Sequence, residues 1–176
     1  MLKLRILLAF VLMINLLGCK STTSIVETNA LKEIVPDKNF EFIANSAIPM
    51  AMANVRGIES LLPVGSSIAS INLIGNQNFF IMKNDTLHID MPYYGIRNMG
   101  GSYNSSDVGI KFKGKIKASQ ITYNSKKKSC NLKYNVKNKQ ENLKITLTLY
   151  PNNSGNLNVI SSHRNSINYR GSWKTN

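Results

Sequence analysis

Apolar residues recur at every second position through the second half of the chain, and this period of two restricts the fold more than any other feature. The runs are Ile110, Phe112, Ile116 and Ala118; Ile121 and Tyr123; Cys130, Leu132, Tyr134 and Val136; Leu143, Ile145, Leu147 and Leu149; Leu157 and Val159; and Ile167, Tyr169 and Trp173. Successive side chains of a strand point to opposite faces, so each run predicts a strand with one buried face. Turn-forming residues separate the runs at 124–127, 137–142 and 152–155. Strands this closely spaced leave no room for crossover helices and therefore pair antiparallel.

The first half is less regular. Val26, Ala30, Leu31 and Ile34 form one stripe at helical period ahead of Pro36, which predicts a short helix over 26–35. Phe40 and Phe42 restore the period of two. Between 50 and 66, Arg56-Gly57 and Pro63-Val64-Gly65 interrupt any pattern, and Met50 with Met52 reads as loose core or strand rather than a cofactor box. Further strands are predicted at 67–74, 79–81 and 87–91. Asn84-Asp85 suits the tight turn between the last two, and Pro92 ends the final one. Eight or nine such strands exceed what a flat sheet comfortably carries. The expectation is one mainly β domain over 26–174, its antiparallel sheet curled into an open barrel or folded into a two-layer sandwich, with one short N-terminal helix.

Ahead of this domain, Lys3 and Arg5 precede an apolar run from Ile6 to Leu17 broken only by Asn15. As a helix the run reaches about 18 Å, short of the roughly 30 Å hydrocarbon core of a membrane. The pattern is that of an export signal. Leu16-Leu17-Gly18-Cys19 resembles the lipobox of bacterial lipoproteins, which implies cleavage after residue 18 and acylation of Cys19 with palmitate-type chains. Residues 1–18 are then a signal peptide, 19–25 a polar tether, and the lipid on Cys19 the membrane anchor. Several acyl chains hold firmly where one binds marginally. The tether lacks the acidic residues that surface-directed Bacteroidetes lipoproteins carry behind the cysteine, so the expected location is the outer membrane, facing the periplasm. With Cys19 acylated, Cys130 has no partner for a disulfide and reads as a buried structural thiol.

The formal net charge is +13, and loss of Lys3 and Arg5 with the signal leaves about +11. Lys111, Lys113, Lys115, Lys117, Lys133 and Lys144 occupy the strand phase opposite the apolar runs. They form one basic face if strands adjacent in sequence are adjacent in space. Such a face attracts an anionic envelope polymer or lipid, each lysine adding on the order of 1 kcal/mol near a charged membrane. Lysines also serve simply to keep exposed strands soluble and their edges unpaired. No aromatic platform accompanies them, so nucleic acid is not an expected partner.

Catalytic chemistry finds little material. His88 and His163 stand far apart in sequence, and a catalytic zinc needs three protein ligands. Ser162, a histidine and Asp90 can be assembled into a triad on paper, but no nucleophile-elbow glycine pattern accompanies them. Glycoside hydrolysis needs two carboxylates about 5 to 9.5 Å apart, and Glu59 with Asp90 is no more than a conceivable combination. Gly100-Gly101 lacks the helix and lysine of a phosphate loop. Neither an enzyme nor a cofactor or metal is expected.

Met91-Pro92-Tyr93-Tyr94-Gly95 resembles the Leu-Pro-Tyr-Phe-Gly-Arg stretch of the DUF4251 domain of Bacteroidetes lipoproteins, with the arginine one residue later, at Arg97. The segment 40–49, the segment 109–112 and the closing Arg164-x-x-Ile167-x-Tyr169-x-Gly171 strand are similar to that family in the same order. The likeness spans 30–173. It implies the envelope location and the fold, and it brings no catalytic residue, because no activity is established for the family. Tyr93, Tyr94 and Arg97, beside the flexible glycines that follow Pro92, are the expected ligand-binding residues, although tyrosines there would equally close one end of the core. The expected function is a non-catalytic module that binds or scaffolds glycan, peptidoglycan or anionic lipid. The alternative is an assembly partner of another envelope protein, with a hydrolase third.

Overall fold

The computed structural model describes residues 31, 39–50, 62–99, 109–116, 119–138 and 141–175. The signal peptide, Cys19, the tether, Lys117, Glu59 and Gly100-Gly101 lie outside the described residues. So does the expected helix except for Leu31, which is helical and buried.

Among the described residues ten strands form: β1 (Asn39–Pro49), β2 (Ile71–Asn72), β3 (Phe79–Lys83), β4 (Thr86–Met91), β5 (Ile110–Lys115), β6 (Ser119–Asn124), β7 (Ser129–Asn138), β8 (Glu141–Leu149), β9 (Ser154–Ser161) and β10 (Ile167–Thr175). They make one sheet in the order β5-β4-β3-β1-β10-β9-β8-β7-β6, with β2 also paired to β1. Every pairing is antiparallel. Strands β1 and β10, distant in sequence, join the N-terminal and C-terminal halves at the middle of the sheet.

The sheet is curled into an open half-barrel, not folded into two layers. Phe80 on β3 and Tyr134 on β7 have four strands between them in the sheet, yet their ring centroids are 5.9 Å apart. Asn138, the last residue of β7, donates through Nδ2 to the Lys111 carbonyl on β5 at 2.6 Å. The concave face holds one core built from the alternating positions, including Phe40, Phe42, Leu132, Leu147 and Tyr169. Cys130 is buried there in phase with Leu132, Tyr134 and Val136.

The tight curvature has a local cause on β1. Its register shifts between Ala44 and Ser46, a β-bulge of the kind that bends a strand. Asn78 repairs the ladder there: its Oδ1 accepts from Ala44 N at 2.8 Å and its Nδ2 donates to Ala44 O at 3.1 Å. Across the bend stand Gly171 and Gly155, paired with each other, and a β-carbon on Gly171 would lie 2.0 Å from the Ile43 carbonyl oxygen.

The strand expected at 67–74 shrinks to Ile71–Asn72. Its side chains compete with a ladder: Asn72 N donates to Ser66 Oγ, Ile74 N to Asn72 Oδ1, and Asn72 Nδ2 to Val64 O. The turn expected over 137–142 is also shorter, because β8 already begins at Glu141.

Candidate functional site

Pro92 cannot donate to a ladder, so β4 ends at Met91 and the chain leaves the sheet. Residues 92–99 then lie against the loop between β9 and β10. Asn98 N and Met99 N donate to His163 O at 2.8 and 3.2 Å, and Asn165 N donates to Ile96 O at 3.0 Å. Arg97 and Arg164 form an isolated antiparallel bridge. The Tyr93 hydroxyl lies 2.9 Å from Ile96 O and 3.0 Å from Asn165 O, so its single proton is offered to two carbonyls, one from each loop. Below them Tyr169 OH donates to Pro92 O at 2.7 Å and ties the same turn to the core. Burial raises the hydroxyl pKa of Tyr93 above its ordinary value, partly offset by the Arg164 charge, and burial raises that of Tyr169 as well.

A buried ion pair underlies this junction. Glu141 and Arg164 are each 7% exposed. Arg164 Nη2 donates to Glu141 Oε2 at 3.1 Å, Arg164 Nε lies 2.9 Å from Oε1, and Arg164 Nη1 donates to Gly109 O at 2.8 Å. Ser161 Oγ donates to Glu141 Oε1 at 2.5 Å. The guanidinium also lies 5.2 Å from the Tyr93 ring centroid, within cation–π range. One arginine therefore links β8, β9, the start of β5 and the turn after β4.

Two shallow clefts flank the outer side of this region. The first, about 310 Å³, is lined by Gln77, Asp90, Pro92, Tyr93, Tyr94, Gly109 and Lys111. The second, about 250 Å³, is lined by His88, Asp90, Lys111, Phe112, Lys113 and Asn138 among others. They share Asp90 and Lys111, whose charged atoms are 3.5 Å apart. His88 faces outward and meets Phe79 edge-on with ring centroids 4.7 Å apart. Of the three expected ligand residues, Tyr93 and Tyr94 come together in the first cleft. Arg97 does not line it; its Nη2 lies 3.8 Å from Glu141 Oε2.

The strand order divides the basic residues. Lys111, Lys113 and Lys115 stand on β5, at one end of the sheet, while Lys133 on β7 and Lys144 on β8 stand near the other. β5 pairs with β4 and not with β6, so these lysines are not brought together by pairing of strands adjacent in sequence, although Asn138 at the end of β7 reaches the Lys111 carbonyl on β5. The histidines also fall on different elements, His88 on β4 and His163 in the loop after β9. Ser162 Oγ lies 2.7 Å from His163 Nδ1, a contact between consecutive residues in an exposed loop. Among the described residues no three His, Cys, Asp or Glu side chains gather as a metal site.

Sequence reasoning missed Glu141, Gln77 and the linking role of Arg164. Glu141 sits among Lys and Asn in what reads as a turn, and its partner is 23 residues away. The only signal is the closing strand motif, which begins with Arg164.

A family model described as a domain of unknown function (DUF4251) matches residues 23–173. Among solved structures, the chain is similar to a crystal structure of a DUF4251 family protein from Bacteroides eggerthii, with a TM-score of 0.54 and 12% identity over 89% of this chain and 92% of that one. At that identity the likeness concerns the fold. No curated protein matches.

Proposed function

Because the chain belongs to the DUF4251 family, whose function is unknown, we propose its role from its own surface: a non-catalytic envelope lipoprotein, held by a lipid on Cys19, that binds a saccharide in the cleft beside Tyr94. The observation that carries this reading is the lining of that cleft, which combines two tyrosines with Gln77, Asp90 and Lys111. A sugar ring presents an apolar face that packs on an aromatic side chain and a rim of hydroxyls that needs both donors and acceptors. The amide, the carboxylate and the ammonium supply both. The volume of about 310 Å³ is at the lower end for a ligand site, which suits one or two sugar units.

Calorimetric titration with the disaccharide of N-acetylglucosamine and with solubilised peptidoglycan fragments tests the reading. Saturable binding is expected, lost in Tyr94→Ala and Asp90→Ala at unchanged thermal midpoint. Absence of binding to both probes, or binding indifferent to both substitutions, rejects it. The anchor is tested separately: palmitate labelling in cells should vanish in Cys19→Ala, and labelling that persists rejects lipidation at that residue.

A second reading, docking of another envelope protein, is favoured by the loop ahead of β3. Val64 is 95% exposed and Ile74 78% exposed, and Asn72 bridges their backbones. A photoreactive side chain at position 64 that captures one protein, with none captured from position 94, would favour this reading over the saccharide.

A further inference from the structure

The tips of the β6–β7 and β8–β9 hairpins stand side by side because Cys130 on β7 pairs with Leu149 on β8. They lie at the end of the half-barrel remote from Tyr94: Asn138, at the other end of β7, is the residue that reaches Lys111. Each tip is fixed locally. In the first, Lys127 N donates to Asn124 Oδ1 at 3.0 Å and Lys128 holds a left-handed φ of 46°. In the second, Pro151 occupies the turn, Asn153 N donates to Tyr150 O at 3.1 Å, and Trp173 Nε1 donates to the same carbonyl at 2.9 Å. Between the tips is a cleft of about 310 Å³ lined by Lys127, Lys128, Tyr150, Pro151, Asn152 and Ser154.

The lining is rich in donors. Asn152 Oδ1 accepts from Ser154 N at 3.1 Å and from Ser154 Oγ at 2.7 Å, which occupies its acceptor and leaves the Nδ2 hydrogens to a ligand. Lysine is a donor only, and no carboxylate is among the described lining residues. Among the described lining residues a cation finds no charged ligand, whereas an anion finds the lysine pair, the Asn152 amide and Tyr150. These donors come from two hairpins. They suit a tetrahedral anion with oxygens on several sides better than a planar carboxylate, for which an arginine fork is the fitting partner.

We propose that this cleft binds a phosphoryl group, carried either by a soluble phosphate ester or by a lipid head group. The site is separate from the cleft beside Tyr94 and does not depend on the saccharide reading.

The test is titration of the full chain with glycerol 3-phosphate at constant ionic strength, with acetate as control, following the amide resonances of Lys127, Lys128 and Asn152. Saturating shifts are expected with a dissociation constant on the order of 1 mM. The double variant Lys127→Gln with Lys128→Gln should weaken binding about tenfold or more while its core resonances stay in place. Lys133→Gln with Lys144→Gln removes the same charge elsewhere and should leave the affinity unchanged. Equal weakening by both double variants, equal affinity for acetate, or binding indifferent to the hairpin substitutions overturns the proposal. Sedimentation with phosphatidylcholine vesicles containing phosphatidic acid distinguishes the source. Retention lost in the hairpin variant assigns a lipid head group, and binding of glycerol 3-phosphate without retention on vesicles assigns a soluble ester.

Discussion

Arg164 donates to Glu141 Oε2 across 3.1 Å in a setting where both side chains are almost wholly excluded from water. The pair joins the start of β8 to the loop after β9, and through Gly109 O it also holds the entry to β5. Removing Glu141 takes from the buried Arg164 guanidinium the carboxylate it pairs with. Glu141→Ala is therefore expected to cost about 3 to 5 kcal/mol in urea unfolding. The joint replacement Glu141→Leu with Arg164→Met should recover most of that loss, since the desolvation of both charges disappears together. A cost below about 1 kcal/mol for Glu141→Ala, within the range of an exposed pair, would mean that the ion pair does not hold this junction.

The Tyr93 hydroxyl serves carbonyls from both loops at once. Tyr93→Phe removes that donor while keeping the ring under Arg164, so a loss of about 1 kcal/mol is expected. The effect should be local: amide exchange at Asn98, Met99 and Asn165 should accelerate, while exchange at Leu147 and Leu157 in the core strands stays slow. Uniform acceleration across the sheet would argue that the loop and the core open together.

The alternation that predicted the strands from Ile110 onward was legible because every second residue faces one core, and β7, β8 and β10 follow it. The curl was legible only as a consequence of strand number, and its cause was not. Nothing local to Asn78 announces that its amide will stand in for a strand at the Ala44 bulge. Strand order is likewise invisible to a period of two: nothing in the alternation says that β5, which carries Lys115, pairs with β4 and that β7, which carries Lys133, pairs with β6 and β8. For the site, Pro92 and the two tyrosines signalled a special turn. The acid that braces it could not be found from its neighbours, because a buried glutamate among Lys and Asn looks like any solvated one until its arginine is placed.

Cys130 gives the chain an alkaline limit. Burial raises its thiol from 9.0 to about 11, and burial raises the hydroxyl of Tyr134 beside it too. Below pH 9 the thiol is protonated in the folded and unfolded chains alike, so its contribution is fully present. Between pH 9 and about 11 the unfolded chain loses the proton first, and stability falls by on the order of 2 kcal/mol. Thermal midpoints measured across that window should decline, and Cys130→Ala should show a shallower decline than the parent. An identical slope in the two proteins would assign the alkaline loss to the tyrosines alone.

Gly171 is expected to be the least replaceable residue of the bend. It pairs with Ala44 beside the bulge and with Gly155 on its other side, and the Phe42 ring lies over Gly155, where a β-carbon would approach it to 3.0 Å. A β-carbon at 171 would meet the Ile43 carbonyl oxygen at 2.0 Å and the Ala44 α-carbon at 2.7 Å, backbone atoms that no rotamer change can move. Gly171→Ala must therefore separate β1 from β10, the pairing that joins the two halves of the sheet. Overpacking of side chains costs about 1 to 3 kcal/mol, and a clash with backbone should reach the top of that range or exceed it. Gly155→Ala, which meets a ring able to tilt, should cost less. Chemical denaturation of the two variants decides the matter: if Gly155→Ala proves the more damaging, the curvature is set by the Phe42 contact and not by the close approach of β1 to β10.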